Sequence, residues 1–164
     1  MKVAVIKYNA GNIRSVLYAM QRLGVTADVT DDQSFIRKAD KVIFPGVGEA
    51  SSTMAFLKRK GLDLLIRNLV QPVLGICLGQ QLMCRKSEEG DTDCIGIFDA
   101  PVVRFKSLLK VPHMGWNSLK DMKGELFEGL DENIYVYFVH SYYVPLLECT
   151  AASCDYIVPF SAAL

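Results

Sequence analysis

Cys77 lies at the centre of Gly75-Ile76-Cys77-Leu78-Gly79, directly after the apolar run Pro72-Val73-Leu74 and before a helix-compatible stretch, 80–86. A cysteine held where a strand turns sharply into a helix is a candidate nucleophile. The spacing has a physical cause: the turn is strained, and a Cβ on either neighbouring glycine would collide with the adjoining strand or helix. A sulfur at a helix N-terminus meets unpaired N–H groups and the positive end of the helix dipole, so the expectation is a favoured thiolate. The Leu78 N–H is then free to meet an oxyanion forming on a substrate carbonyl. The same five residues also fit a buried cysteine in a glycine-rich turn.

Three more segments carry residues of the right kind. Pro45-Gly46-Val47-Gly48 ends an apolar run and is followed by Glu49. Glycines on both sides of Val47 let that peptide rotate at low cost, so its N–H could turn toward an oxyanion when substrate arrives. An ordinary strand-to-helix turn, with Glu49 complementing the helix dipole, explains the same residues. Val111-Pro112-His113-Met114-Gly115-Trp116-Asn117 holds the only tryptophan and reads as a turn over one end of the core. Tyr137-Phe138-Val139-His140-Ser141-Tyr142-Tyr143 is an aromatic strand carrying one of only two histidines, for which a core histidine is the plain explanation.

The elements that must position these residues alternate. β-Branched runs at 3–7, 25–29, 42–44 and 73–76 are followed by helical stretches at 13–23, 34–38, 49–69 and 80–86. Repeated βα units imply a parallel sheet built from right-handed crossovers. In the first helix Ile13, Val16, Leu17, Met20 and Leu23 recur at three- and four-residue steps, and Gly24 supplies the stop. After Gly90 the pattern changes to strand-like segments at 95–98, 102–105, 134–139 and 156–158, expected to extend the sheet with mixed or antiparallel strands. In open α/β sheets ligands bind beyond the carboxyl ends of the strands, which is where Cys77 falls.

Bulk composition narrows the classes. At 164 residues the chain suits one domain, with enough buried surface to need no staples. Eighteen Lys+Arg balance eighteen Asp+Glu, leaving no electrostatic footprint for nucleic acid or an anionic membrane. No apolar run spans a bilayer, and the first seven residues return to charge before a signal-peptide core forms, so a cytoplasmic protein is expected. The five cysteines (77, 84, 94, 149, 154) are odd in number and form no C-x-x-C pair, which argues against a disulfide framework and a zinc ribbon.

In their order, these segments resemble the glutamine amidotransferase subunit of imidazole glycerol phosphate synthase, the histidine-biosynthesis member of the triad (class I) glutaminases. The likeness begins at Tyr8-Asn9-Ala10-Gly11-Asn12-Ile13-Arg14-Ser15-Val16. It continues through PGVG, GICLGQQ, VPHMGWN and YFVHSYY, and still runs in 155–164. The resemblance implies a doubly wound, flavodoxin-like α/β fold with a mostly parallel sheet, helices on both faces and mixed strands in the C-terminal half. It implies that Cys77 is the nucleophile and that the Val47 and Leu78 N–H groups form the oxyanion hole. Gly46, Gly48 and Gln81 would hold the glutamine, and the backbone around His140, Ser141 and Tyr142 would receive its amino-acid end. Asn12, Trp116 and Tyr137 would face the partner, a (βα)8-barrel cyclase forming a heterodimer with this subunit. No metal or organic cofactor is called for. Gln80 stands where the family commonly has methionine.

One element of the family pattern does not occur in the 164 residues: the strand carrying H-P-E, whose histidine is the general acid/base and whose glutamate orients it. The expectation is therefore a single glutamine amidotransferase domain over 1–164, C-terminally incomplete and inactive without that histidine, because an amide nitrogen needs a proton to leave. The alternative is a catalytically silent partner-binding module of the same fold. Another cysteine-elbow α/β enzyme is more distant, because the PHMGWN and YFVHSYY blocks select the histidine-pathway member.

Overall fold

The computed structural model describes residues 1–8, 11–132 and 134–164. Asn9 and Ala10, within the motif at 8–16, lie outside the described residues. The chain divides into two compact units, 1–99 and 100–164.

The first unit is a parallel sheet wrapped by helices. Its strands are β1 (Val3–Ile6), β2 (Ala27–Thr30), β3 (Lys41–Phe44) and β4 (Val73–Gly75), in the spatial order β2-β1-β3-β4 and all parallel. All four residues of β1 are buried, as a strand covered on both faces requires. Alternation sorts them. Val3 and Val5 join Ile43 on one face against Val16 and Met20 of α1 (Ile13–Arg22). Ala4 and Ile6 join Val42 and Phe44 on the other. That second face is covered by Ile36 of α2 (Gln33–Lys38), Met54 and Leu57 of α3 (Ala50–Lys60), Leu65 and Ile66 of α4 (Leu62–Arg67), and Leu82 of α5 (Leu78–Met83). Helices therefore flank both faces, as expected of a doubly wound α/β fold.

Three boundaries differ from the sequence expectation, each for a local reason. The single helix expected over 49–69 is two, because Gly61 takes a left-handed conformation (φ 65°) and closes α3 with its N–H on the Lys58 carbonyl. The Gln33 side chain covers the neighbouring Lys60 carbonyl at 3.0 Å. The helix expected at 80–86 starts at Leu78, directly after the cysteine, and ends at Met83. Segment 95–98 is not a strand. Its N–H groups satisfy the last carbonyls of that helix: Ile95 bonds Leu82, while Ile97 and Phe98 both bond Met83. A short antiparallel pair, β5 (Lys86–Ser87) and β6 (Thr92–Asp93), occupies the stretch between.

Within the second unit the strands pair antiparallel. β7 (Pro101–Arg104) pairs with β10 (Tyr142–Tyr143), β8 (His113–Ser118) with β9 (Tyr135–His140), and β11 (Ala152–Tyr156) with β12 (Val158–Ala163). Three expectations change here, the first being that these strands pair in other sheets and do not extend β2-β1-β3-β4. The PHMGWN block is a strand and not a turn. The strand expected at 156–158 is the tip of the β11–β12 hairpin, where Ile157 has φ 53°. The core of this unit is aromatic: Phe105 and Phe160 are buried and contact Phe138, Tyr143 and Tyr156. Among the described residues no helix is long and apolar enough to cross a membrane.

Candidate active site

Cys77 has φ 53° and ψ −114°, outside the regions that non-glycine residues normally occupy. The strain is imposed from both sides. Ile76 N–H bonds the Phe44 carbonyl at 3.0 Å and so continues the sheet, while Gly79 N–H bonds the Ile76 carbonyl at 2.9 Å and starts the helix. The flanking glycines leave no room for a side chain. A Cβ on Gly75 would lie 2.7 Å from Met83 Sδ, and one on Gly79 would lie 2.0 Å from the Phe44 carbonyl oxygen. The collision expected from the spacing is therefore present at both positions.

The second glycine turn lies against this elbow. A Cβ on Gly46 would fall 2.1 Å from the Gly79 nitrogen and 2.7 Å from the Leu78 carbonyl carbon. The structure thus brings Gly46, Val47 and Gly48 together with Cys77 and Leu78 at the carboxyl ends of β3 and β4. Gly48 has φ 113°, a conformation a β-branched residue resists. Gln81 lies one turn into α5, its N–H on the Cys77 carbonyl at 3.1 Å. Its neighbour Gln80 is half-buried, and its buried Nε2 has no hydrogen-bond partner among the described residues.

Electrostatics at the cysteine overturn one expectation. Cys77 is exposed to solvent, yet desolvation by the atoms packed behind the sulfur pushes its pKa up. The Leu78 N–H pulls it down, and the Glu89 carboxylate raises it again. The net direction is upward, so the resting group is a thiol. The helix dipole behind the expected thiolate is that of α5, only six residues long.

One residue here, Glu89, carried no signal in the sequence. Glu89 accepts the Ala50 N–H at 2.9 Å, and burial raises its carboxyl pKa. Glu49 is the N-cap of α3 and accepts from the Ser51 and Ser52 N–H groups, which hold its carboxyl down at about 2. Tyr8 is buried, and its hydroxyl donates to the Pro45 carbonyl at 2.6 Å. Burial pushes its pKa up to about 12, while the backbone N–H of Val47 acts against the rise. Only the fold discloses these neighbours. Tyr8 is 37 residues from Pro45 and Glu89 is 39 from Ala50.

In the second unit, His140, Ser141 and Tyr142 run from the end of β9 into β10. The Ser141 carbonyl accepts the Phe105 N–H at 3.0 Å. His140 Nδ1 lies 2.8 Å from the Tyr142 carbonyl, so it carries the proton. Its Nε2 is then an acceptor for His113 Nδ1–H at 3.0 Å. Both imidazole pKa values are lowered by burial, that of His113 to about 4 with the neighbouring His140 as the second cause. Trp116 and Tyr137 are cross-strand neighbours of β8 and β9, packed edge to face at 5.5 Å, and both are exposed (69% and 54%). Asn12 belongs to the first unit, where its Oδ1 caps α1 by accepting the Ser15 N–H.

A parallel sheet whose strand β4 delivers a strained cysteine between glycines that admit no Cβ is the nucleophile elbow of an α/β enzyme. The glutamine amidotransferase class-I family matches residues 4–157. Imidazole glycerol phosphate synthase subunit HisH of Bacteroides fragilis is 65% identical over all of this chain and 85% of its own length. The subunit of the same name from Bacteroides thetaiotaomicron is 64% identical with the same coverage, and that of Yersinia pestis 42%. Among solved structures, a glutamine amidotransferase superposes with a TM-score of 0.72 at 18% identity, covering 96% of this chain and 87% of that one. A second, from Thermotoga maritima, gives 0.60 at 16% identity, with coverage of 97% and 73%. The chain belongs to the class I glutamine amidotransferase family, among the HisH subunits of imidazole glycerol phosphate synthase.

Proposed function

We propose that this chain is the glutaminase subunit of imidazole glycerol phosphate synthase. In this reading it hydrolyses glutamine to glutamate and hands ammonia to a cyclase subunit, which makes imidazole glycerol phosphate and aminoimidazole carboxamide ribotide. The observation that carries the reading is the strained Cys77 with the Gly46–Gly48 turn packed against the next residues of its helix.

Because Cys77 rests as a thiol, attack on the side-chain carboxamide of glutamine needs a base to take its proton. Sulfur then adds to the carboxamide carbon, and the oxyanion is met by the N–H groups of Leu78 and Val47. The C–N bond breaks as the protonated base returns its proton to nitrogen, giving ammonia and a glutamyl thioester. Water adds to the thioester with the same base, the C–S bond breaks, and glutamate and the Cys77 thiol are released. Gly46, Gly48 and Gln81 hold the glutamine side chain in this reading, and the family resemblance assigns its amino-acid end to the backbone at His140, Ser141 and Tyr142.

The base is neither histidine of the 164 residues. His113 and His140 are hydrogen-bonded to each other inside an aromatic cluster, and an imidazole held near pKa 4 is too weak to deprotonate a thiol at neutral pH. The proton carrier in this reading is the H-P-E histidine implied by the family resemblance, outside residues 1–164. In this reading the exposed Trp116 and Tyr137 of the second unit, and Asn12 of the first, each contact a barrel-shaped cyclase. A catalytically silent module has nothing to recommend it, since the strain at Cys77 is retained and strain persists where it serves a mechanism.

The test compares the 164-residue chain, its full-length form and full-length Cys77→Ala, each with the cyclase and ribotide. Only the full-length form with Cys77 is expected to release ammonia from glutamine, and a glutamine-mimicking electrophile is expected to label Cys77 before the other four thiols. Turnover by the well-folded 164-residue form would remove the outside base, and turnover by Cys77→Ala would remove the nucleophile.

A further inference from the structure

His113 and His140 stand opposite each other in the β8–β9 ladder. His113 is buried and stacks on Tyr156 at 4.0 Å and on Phe138 at 4.9 Å. A phenyl ring would stack as well, so packing does not call for the two nitrogens. Their use is directional. His113 Nδ1 lies 3.0 Å from His140 Nε2, and His140 Nδ1 lies 2.8 Å from the Tyr142 carbonyl oxygen. A carbonyl only accepts, so the neutral His140 keeps its one proton at Nδ1, its Nε2 accepts, and His113 donates. The two bonds make a one-way chain from β8, through the His140 ring, to the backbone beyond β9.

The chain ends two residues after the imidazole that carries it, so the His140 side chain closes a ring over Ser141. Two successive peptides are then held by their carbonyls. That of Ser141 is held by the Phe105 N–H at 3.0 Å, a backbone bond, and that of Tyr142 by a side chain whose tautomer must be right. His113 selects that tautomer. A proton on His140 Nε2 would face the His113 N–H across 3.0 Å, donor against donor, and would leave an Nδ1 lone pair against the Tyr142 carbonyl. We infer that His113 is a positioning residue for glutamine: by donating to His140 it keeps the imidazole bonded to the Tyr142 carbonyl, and so sets the backbone that receives the amino-acid end of the substrate. The inference rests on the reading that the backbone at 140–142 is that receiving site.

The experiment uses full-length enzyme with its cyclase and ribotide, and two variants that separate the ring from its donor. His113→Phe keeps a ring to stack and loses the N–H, whereas His113→Asn loses the ring and keeps an N–H near the Nδ1 position. Folding is checked by circular dichroism and stability by the urea midpoint. In His113→Phe the KM for glutamine is expected to rise about fivefold with kcat unchanged, as when a contact common to ground and transition states is lost. In His113→Asn it is expected to stay within about twofold of wild type, although that variant is the less stable of the two. A packing role alone gives the reverse order in KM, and that order would overturn the inference, as would an unchanged KM in folded His113→Phe. Imidazole nitrogen NMR is expected to find His140 protonated at Nδ1 in wild type and partly at Nε2 in His113→Phe; protonation wholly at Nδ1 in that variant would also overturn it. The underlying reading is tested apart, by glutamine-induced shifts of the 141 and 142 amides in full-length Cys77→Ala. Their absence would remove the receiving site itself, whereas shifts that appear while KM stays unmoved in His113→Phe would keep the site and remove His113 from it.

Discussion

Acidification should destabilise this protein through one pair of side chains. His113 and His140 are its only histidines, and they bond each other at 3.0 Å within the aromatic core of the second unit. His113 is stacked at 4.0 Å on Tyr156 and 4.9 Å on Phe138, where a proton would add an unsolvated charge beside a second imidazole. Burial, then His140, lowers its pKa from 6.5 to about 4. For a base whose folded pKa is lowered, the unfolded chain binds a proton that the native chain refuses. The stability it contributes is therefore whole above pH 6.5 and is lost as the pH falls toward 4. For His113 alone the full loss is about 3 kcal/mol. His140, lowered chiefly by its own burial, adds to it with the same sign. Glu89 works against them, because its raised carboxyl takes up a proton more readily when folded. Urea unfolding at pH 7.5 and 4.5 should therefore differ by about 3 kcal/mol, and the imidazole C–H signals of the native protein should stay unshifted until well below pH 6. Two imidazoles titrating near 6.5 in the native protein would refute the reasoning, because the buried neutral pair would then not exist.

Other changes test single contacts. Gln80→Met should stabilise the protein by about 1–2 kcal/mol, because it removes a buried amide nitrogen with no partner and keeps the side-chain length; an unchanged urea midpoint would mean that the amide is satisfied. Glu49→Ala should cost about 1 kcal/mol at pH 7 by uncapping α3. A depressed carboxylate stabilises above its unfolded pKa, so the gap between wild type and variant should close as the pH falls from 4.5 to about 2, and a gap that persisted at pH 2 would exclude the ionised cap. Gly48→Val, which forces a β-branched residue into φ 113°, should lower turnover of full-length enzyme with its partner by about a hundred- to a thousandfold. Wild-type turnover would make that turn merely structural.

The parallel sheet was legible because its central strands β1 and β3 are buried on both faces and so read as unbroken apolar runs, each followed by a helical period. The antiparallel half was harder. In β8 the expected alternation is hidden, since the outward face carries Met114 and Trp116, both large and apolar, while the inward face carries His113 and Gly115. Proline and glycine in that block point to a turn, yet neither stands where the ladder fails. The break at Gly61 was masked for the opposite reason, as Leu57, Leu62, Leu65 and Ile66 remain buried across it. Local spacing thus identifies an element when its burial is uniform or strictly alternating, and misleads when a second apolar face awaits something else.

The site divides along the same line. Gly75, Cys77 and Gly79 were legible because steric exclusion within five residues is a local matter, and the structure shows both forbidden Cβ positions. The ionisation of Cys77 was not. Its expected thiolate followed from a neighbouring helix end, a local feature, whereas the thiol follows from packing and from Glu89, twelve positions later and placed by the β5–β6 pair. The raised value has a chemical consequence. A standing thiolate would react with any electrophile that entered, whereas a thiol at neutral pH becomes nucleophilic only when a positioned base takes its proton. Activation of Cys77 and protonation of the leaving nitrogen then depend on one group. If Glu89 contributes to that control, Glu89→Gln should lower the Cys77 pKa and speed its alkylation near pH 8 in the folded protein. Alkylation unchanged across the pH range would show that packing alone holds the thiol.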